Sequence, residues 1–232
     1  MIRAVIFDMD ETLVDSSNTW TEAEIRLTRY LGREFSPEVA EAYKGMNATD
    51  IGRTIYDWAG SDRISRNECG PLLKEWLIKN FEEPIETMPG ADDLVRRLAG
   101  KFDLAIASGS PLEAIHCVAD RFNWTPYFKI MVSSEEILRG KPNPDIFLLA
   151  AERLGIPAGE CLVIEDSLHG VRAAKSAGMA CFAVPSAPNP AINLEADRCF
   201  ASLSDMQAEM ICNFQQPEHK ATRNTVYERG LI

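Results

Sequence analysis

Val5-Ile6-Phe7-Asp8-Met9-Asp10-Glu11-Thr12-Leu13-Val14-Asp15 is the stretch on which the reading of the whole chain depends. With Ala4 in front of it, the apolar start has the make-up of a strand buried on both faces. The run then breaks into two acids, Asp8 and Asp10, one residue apart. In a parallel α/β sheet, ligands sit beyond the carboxyl ends of the strands. Two carboxylates at such an end can hold a divalent cation through oxygen, and one of them can attack a phosphorus atom. A bare Asp-x-Asp is more commonly an ordinary turn, because Asp stabilises turns and caps. The rest of the chain has to decide between the two.

The chain has 232 residues, 46% hydrophobic and 25% charged, a globular composition with length enough for a sizeable core. Its formal net charge of −11 argues against a nucleic-acid partner, which needs a basic face. It does not exclude an anionic substrate, since a local cation and a lysine can dominate a site. The six cysteines show no Cys-x-x-Cys spacing, and His116, His169 and His219 show no ligand spacing with them. Free, buried thiols are expected rather than a zinc site. No secretory leader is read at the N-terminus, and no apolar run is long enough to span a membrane. The expectation is a cytoplasmic monomer with no membrane partner.

Residues 14–81 read as helical throughout. Helices are expected over 20–31, with Thr19 and Glu22 as a capping box, and over 37–45 behind Ser36-Pro37. Two more are expected over 47–58, capped by Asn47, and over 66–81. Aromatic residues in these stripes, Trp20 among them, read as core packing. From Met88-Pro89-Gly90 onward the pattern alternates. Helices are expected over 91–98, 111–122, 145–154 and 171–177. Strands are expected over 104–107, 130–132, 161–164 and 180–184, with a short one near 199–200. Such alternation predicts an α/β fold with a parallel sheet and helices on both faces. The division read is 1–15 plus 86–212 as the α/β core, 16–85 as a helical insert, and 213–232 as a frayed C-terminal extension.

Phe7-Asp8-Met9-Asp10-Glu11-Thr12-Leu13 is followed, in order, by Ala107-Ser108-Gly109-Ser110, Gly140-Lys141-Pro142-Asn143-Pro144-Asp145 and Val163-Ile164-Glu165-Asp166-Ser167. This series resembles the four motifs of the haloacid dehalogenase (HAD) superfamily of aspartate-nucleophile phosphatases. The subgroup it is most similar to contains small sugar-phosphate phosphatases and β-phosphoglucomutase. The resemblance runs from the N-terminus to about Leu203.

The resemblance implies a Rossmann-like parallel-sheet core with an inserted helical cap. It implies Mg²⁺-dependent hydrolysis of a small phosphorylated metabolite, a sugar phosphate, through an aspartyl-phosphate. Asp8 would be the nucleophile and Asp10 the general acid and then base, with Ser108 and Lys141 on the phosphoryl group. The metal set would be Asp8, Asp10 through its backbone carbonyl, and Asp166, with Glu165 close by. In the cap, Lys44, Gly45, Met46 and Arg53 are the substrate-facing candidates, Arg53 having a surface salt bridge as its alternative role. Glu11 stands where the family usually has Gly, which tolerates positive φ. Its carboxylate would repel a bound phosphate unless it points outward or meets a cation. Mutase relatives use a cap histidine and a cap arginine, whose places here hold Trp20 and Ala48. A phosphomutase remains the alternative, and a receiver-like or non-catalytic binding module the alternative of another class. Against the latter stand the helical insert and the presence of Asp8, Asp10, Lys141 and Asp166 together.

Overall fold

The computed structural model describes residues 1–43 and 46–214 of the chain. Strand β1 (Ala4–Phe7) leads into four helices, namely α1 (Ser17–Tyr30), α2 (Pro37–Tyr43), α3 (Ala48–Ala59) and α4 (Arg66–Glu82). Alternation follows, through α5 (Ala91–Leu98), β2 (Asp103–Ser108), α6 (Leu112–Arg121), β3 (Phe128–Ser133), α7 (Asp145–Leu154) and β4 (Cys161–Glu165). The described chain continues through α8 (Leu168–Ser176), β5 (Ala180–Ala183), α9 (Pro190–Glu195), β6 (Arg198–Cys199) and α10 (Ala208–Cys212).

The six strands form one sheet in the order β3-β2-β1-β4-β5-β6, and every pairing is parallel. Successive strand residues point to opposite faces, and here both faces are apolar. Val5, Phe7, Leu104, Ile106, Leu162 and Ile164 join one core. Ala4, Ile6, Ala105, Ala107, Val163 and Cys181 join the other. Helices α5 and α6 pack on the first core, through Leu94, Val95 and Val118. On the second lie α7 and α8, through Phe147, Ala150 and Val171. This is the α/β parallel sheet that the alternation predicts, and the Rossmann-like core that the resemblance implies. Its direction of travel reverses between β1 and β4, and the crevice at such a reversal is where these sheets bind ligands.

Among the four helices ahead of α5, Leu27, Ile55, Leu73, Leu77 and Phe81 are fully buried. Helices α3 and α4 cross closely at two glycines: a Cβ on Gly52 would lie 2.6 Å from the amide nitrogen of Gly70. Asn47 caps α3 as its sequence position suggests, its Oδ1 accepting from the Asp50 amide at 2.9 Å. Helix α1 corrects the reading. It begins at Ser17 rather than after Thr19, because Ser16 is already fixed by the carboxylates of Asp10 and Glu11.

The two connections between these helices and the sheet run side by side. Val14 pairs antiparallel with Thr87, the Asp15 amide donates to Glu86 O at 3.0 Å, and the Met88 amide donates to Leu13 O at 2.9 Å. Arg121 on α6 adds a clasp by donating to the carbonyls of Phe81, Glu82 and Glu83 at the end of α4. Those are carbonyls a helix terminus leaves without partners.

Helices α9 and α10 have no counterpart in the sequence reading; both are short. Phe214 packs edge-on against Phe182, ring centroids 5.1 Å apart, so the start of the expected 213–232 extension is docked, and the remainder lies outside the described residues. The six cysteines are free thiols. No helix among the described residues is long and apolar enough to cross a membrane.

Candidate active site

Asp8 follows directly on β1, its amide donating to Ile164 O of β4 at 2.9 Å. The next residues close a tight turn in which the amides of Leu13 and Val14 donate to Met9 O at 2.8 and 3.1 Å. Glu11 takes φ of 57°, a left-handed conformation that costs a non-glycine residue. Glu11 lines the cavity described below, and its carboxylate is engaged by the protein itself. It turns back to accept from the Ser16 amide at 2.9 Å, ahead of α1, where an anion is favoured by the helix dipole.

Asp10 is held by four donors, two to each oxygen. Ser16 Oγ and Trp20 Nε1 each donate to Oδ1 at 2.8 Å. Ser108 Oγ and Ser110 Oγ donate to Oδ2 at 2.7 and 2.9 Å. Ser108, the last residue of β2, is fully buried, and its hydroxyl also accepts from the Ser110 amide at 2.9 Å. In this structure Ser108 therefore positions Asp10, and the wall of the adjacent cavity is built by Gly109 beside it.

Lys141 lies between two acids. Its Nζ is 2.6 Å from Asp8 Oδ1 and 2.7 Å from Glu165 Oε1, with all three side chains buried. Burial works to lower the lysine pKa, and the charges of Asp8 and Glu165 outweigh it, holding the group raised and protonated. Burial pushes the Asp8 carboxyl above the usual carboxylate range. Lys141 opposes that shift, while the neighbouring Glu165 and Asp10 add to it.

Both oxygens of Glu165 are engaged. One oxygen meets Lys141, and the other accepts from the Ser167 amide and hydroxyl at 2.7 and 2.9 Å. Gly170 makes room for it: a Cβ there would fall 1.6 Å from Glu165 Oε1.

Asp8, Glu165 and Asp166 are all buried and bring carboxylate oxygens within 4.8 Å of one another. One lysine does not neutralise three buried carboxylates, and uncompensated buried charge is costly. An all-oxygen donor set of this kind fits a hard divalent cation. Glu165, spent on Lys141 and Ser167, fits a supporting place rather than a direct one. Asp10 takes no part in this group through its side chain.

A cavity of about 330 Å³ opens onto these residues, at the lower end of the range for small-ligand sites. Asp8, Asp10, Lys141, Glu165 and Asp166 line its sheet side. Trp20, Glu24, Phe35, Tyr43, Met46 and Ile51 line its helical side. Of the cap candidates, Met46 is in the wall. Arg53 is not in it; its Nη1 lies 3.7 Å from Asp50 on the same helix. Lys44 and Gly45 lie outside the described residues.

Sequence reasoning passed over Ser16, Trp20, Glu24, Tyr43, Ser110 and Gly170. A signal existed for three of them. Ser16, Trp20 and Glu24 recur every four residues, which puts them on one face where a helix starts, and that face meets the cavity.

Fold and site together define a parallel-sheet α/β protein with carboxylates gathered at the sheet's switch point. Residues 2–178 match the haloacid dehalogenase-like hydrolase family, and the chain belongs to it. It is 34% identical over 222 residues to a probable pseudouridine-5'-phosphatase of Drosophila melanogaster, covering 88% of this chain and 91% of the relative. It is 31% identical to hexitol phosphatase B of Escherichia coli K12, covering 90% and 96%. To a bifunctional riboflavin kinase/FMN phosphatase of Arabidopsis thaliana it is 33% identical over 88% of its own residues, spanning about half, 54%, of that longer protein. Among solved structures, β-phosphoglucomutase of Clostridium difficile superposes with a TM-score of 0.81 at 22% identity, covering 91% of this chain and 96% of the other. That likeness is one of fold.

Proposed function

We propose that the protein hydrolyses a small phosphorylated metabolite of the sugar-phosphate type, with Asp8 as nucleophile. The observation that carries this reading is the unequal treatment of two acids two residues apart. Asp8 is tied through one oxygen to Lys141, while Asp10 is held rigidly by four donors at the cavity wall. Environments that differ in this way give two carboxylates two roles.

Asp8 attacks phosphorus and forms an aspartyl-phosphate, splitting one hard displacement into two easier ones. Asp10, oriented by Ser16, Trp20, Ser108 and Ser110, gives a proton to the leaving oxygen. It then takes one from the water that attacks the aspartyl-phosphate. Lys141 keeps a positive charge beside Asp8 and offsets negative charge gathering on the phosphoryl oxygens. Mg²⁺, for which Asp8, Asp166 and the Asp10 carbonyl are suited, with Glu165 in support, supplies charge neutralisation between a carboxylate and a phosphate dianion when bound. The four helices inserted after β1 act as a cap whose residues choose the substrate. The relatives' names, a hexitol phosphatase and a pseudouridine-5'-phosphatase, support a phosphate ester on a sugar-derived chain.

The test is phosphate release from a panel of sugar, alditol and nucleoside phosphates with Mg²⁺, repeated after chelation. Turnover that disappears with Asp8→Asn and with chelator supports the reading; turnover untouched by Asp8→Asn sinks it. Following glucose 6-phosphate formation from β-glucose 1-phosphate in the same assay separates hydrolysis from the phosphomutase alternative.

A further inference from the structure

The cavity has a polar group that the hydrolytic chemistry does not use. Glu24 on α1 is 6% exposed and lies in the cavity's helical wall. Its neighbours there, Trp20, Phe35, Met46 and Ile51, offer carbon surface and no cation. Among the described residues, Tyr43 Oη donates to Glu24 Oε2 at 3.2 Å. A carboxylate has about four acceptor positions, so one hydroxyl leaves most of its accepting capacity open toward the cavity. Burial pushes its carboxyl up to about 7, against the lowering effect of the Tyr43 hydrogen bond. A carboxyl placed so is poorly compensated by the protein itself, and donors from a ligand would relieve it.

We propose that Glu24, with Tyr43, forms the far end of the substrate site and selects esters whose distal end carries neutral hydroxyl donors. Distal phosphate or carboxylate groups would be rejected. The inference rests on the hydrolase reading and deepens it. The charge pattern runs along the cavity. The phosphoryl group goes to the end with Lys141 and a metal-fitting acid set. The opposite wall presents an acid between apolar side chains, which take the carbon face of a sugar or alditol. A second anion would there meet a buried carboxylate with no cation in the described wall. Like-charge juxtaposition of this kind costs several kcal/mol, on the order of 100-fold or more in discrimination. The same argument disfavours a bisphosphate in the cavity, and with it a phosphomutase cycle that needs one.

The experiment uses matched alditol phosphates and aldonate phosphates of three, four, five and six carbons, which differ only in –CH₂OH against –COO⁻ at the far end. With the full-length enzyme, Mg²⁺ and pH 8, kcat/KM is expected to favour the alditol by about 100-fold at the preferred chain length. In Glu24→Gln that ratio is expected to fall at least tenfold, the aldonate gaining and the alditol losing. Tyr43→Phe, which frees an acceptor position but removes a donor, should leave the preference in place. Calorimetric titration of the same esters into the Asp8→Asn enzyme reads the far end without turnover. A wild-type ratio near one, or a ratio unchanged in Glu24→Gln, overturns the selection. Preference in binding with no phosphate released by the wild type overturns the hydrolase reading and leaves the selection standing.

Discussion

Trp20 donates its indole N–H to Asp10 Oδ1 at 2.8 Å, so a side chain of the first inserted helix helps to hold the second acid of the β1 turn. Phe at position 20 would keep most of the packing and lose the donor. A hydrogen bond to a charged group contributes about 1.5–3 kcal/mol. Trp20→Phe is therefore expected to lower kcat by about 10- to 100-fold, with KM changed less and the circular dichroism spectrum unchanged. A kcat within twofold of wild type would mean that the three serines suffice.

Lys141 is the positive partner of two buried acids. Removing one member of a buried pair leaves uncompensated charge and costs about 3–5 kcal/mol. Lys141→Met should lower stability by that amount in urea unfolding. Asp8→Asn, which leaves the Lys141–Glu165 contact in place, should lower it far less while abolishing phosphate release. Equal stability in the two variants would contradict the arrangement.

Gly170 touches no ligand position, yet the site depends on its missing side chain. An added methyl group would overlap the Glu165 carboxylate, forcing it off Lys141 and Ser167. Overpacking and lost charged hydrogen bonds together cost about 1–3 kcal/mol. Gly170→Ala should show that loss in thermal unfolding, together with a fall in activity. Wild-type activity and midpoint would show that Glu165 moves aside freely.

Glu24 makes a prediction about pH. Its folded pKa is raised to about 7 from 4.5, so the folded state holds a proton that the unfolded state has released between those values. Stability from this group is thus greatest below pH 4.5, falls as pH rises from 4.5 to 7, and levels off above 7. At pH 8 Glu24→Gln should be more stable than wild type by about 3 kcal/mol, and the advantage should fade as pH falls to 4.5. A difference independent of pH would show that Glu24 is not titrating in the folded protein.

The fold was legible wherever an element announces itself locally. The runs 4–7 and 161–164 are uniformly apolar and are each followed by an acid, Asp8 and Glu165. Such strands read as buried on both faces, whereas their order around the sheet came only from the structure. Asn47 before α3 and Gly60 after it, at φ of 63°, mark that helix by cap chemistry alone. The start of α1 was not legible, because Ser16 answers to carboxylates from an earlier turn rather than to its own helix. Ser110 and Trp20 were missed for a related reason. Each is ordinary in its own segment, a loop serine and a helical aromatic. Only the closeness of β1, β2 and α1 in space turns them toward Asp10. The positive φ of Glu11 follows from its place in the turn, but the use of its carboxylate at Ser16 needed the structure.

The rung between Val14 and Thr87 has a bearing on how such a chain can change. The chain leaves for helices α1–α4 and returns at adjacent points, and we propose that these helices form an exchangeable cassette. A graft of another helical block across that joint would leave the register of β1 with β2 and β4 as it is. Such an exchange would not be neutral for chemistry, however. Ser16 and Trp20 travel with the cassette, and they supply two of the four donors on Asp10. A transplant that swaps these helices must bring its own pair of donors, or inherit these two, to keep Asp10 held as it is.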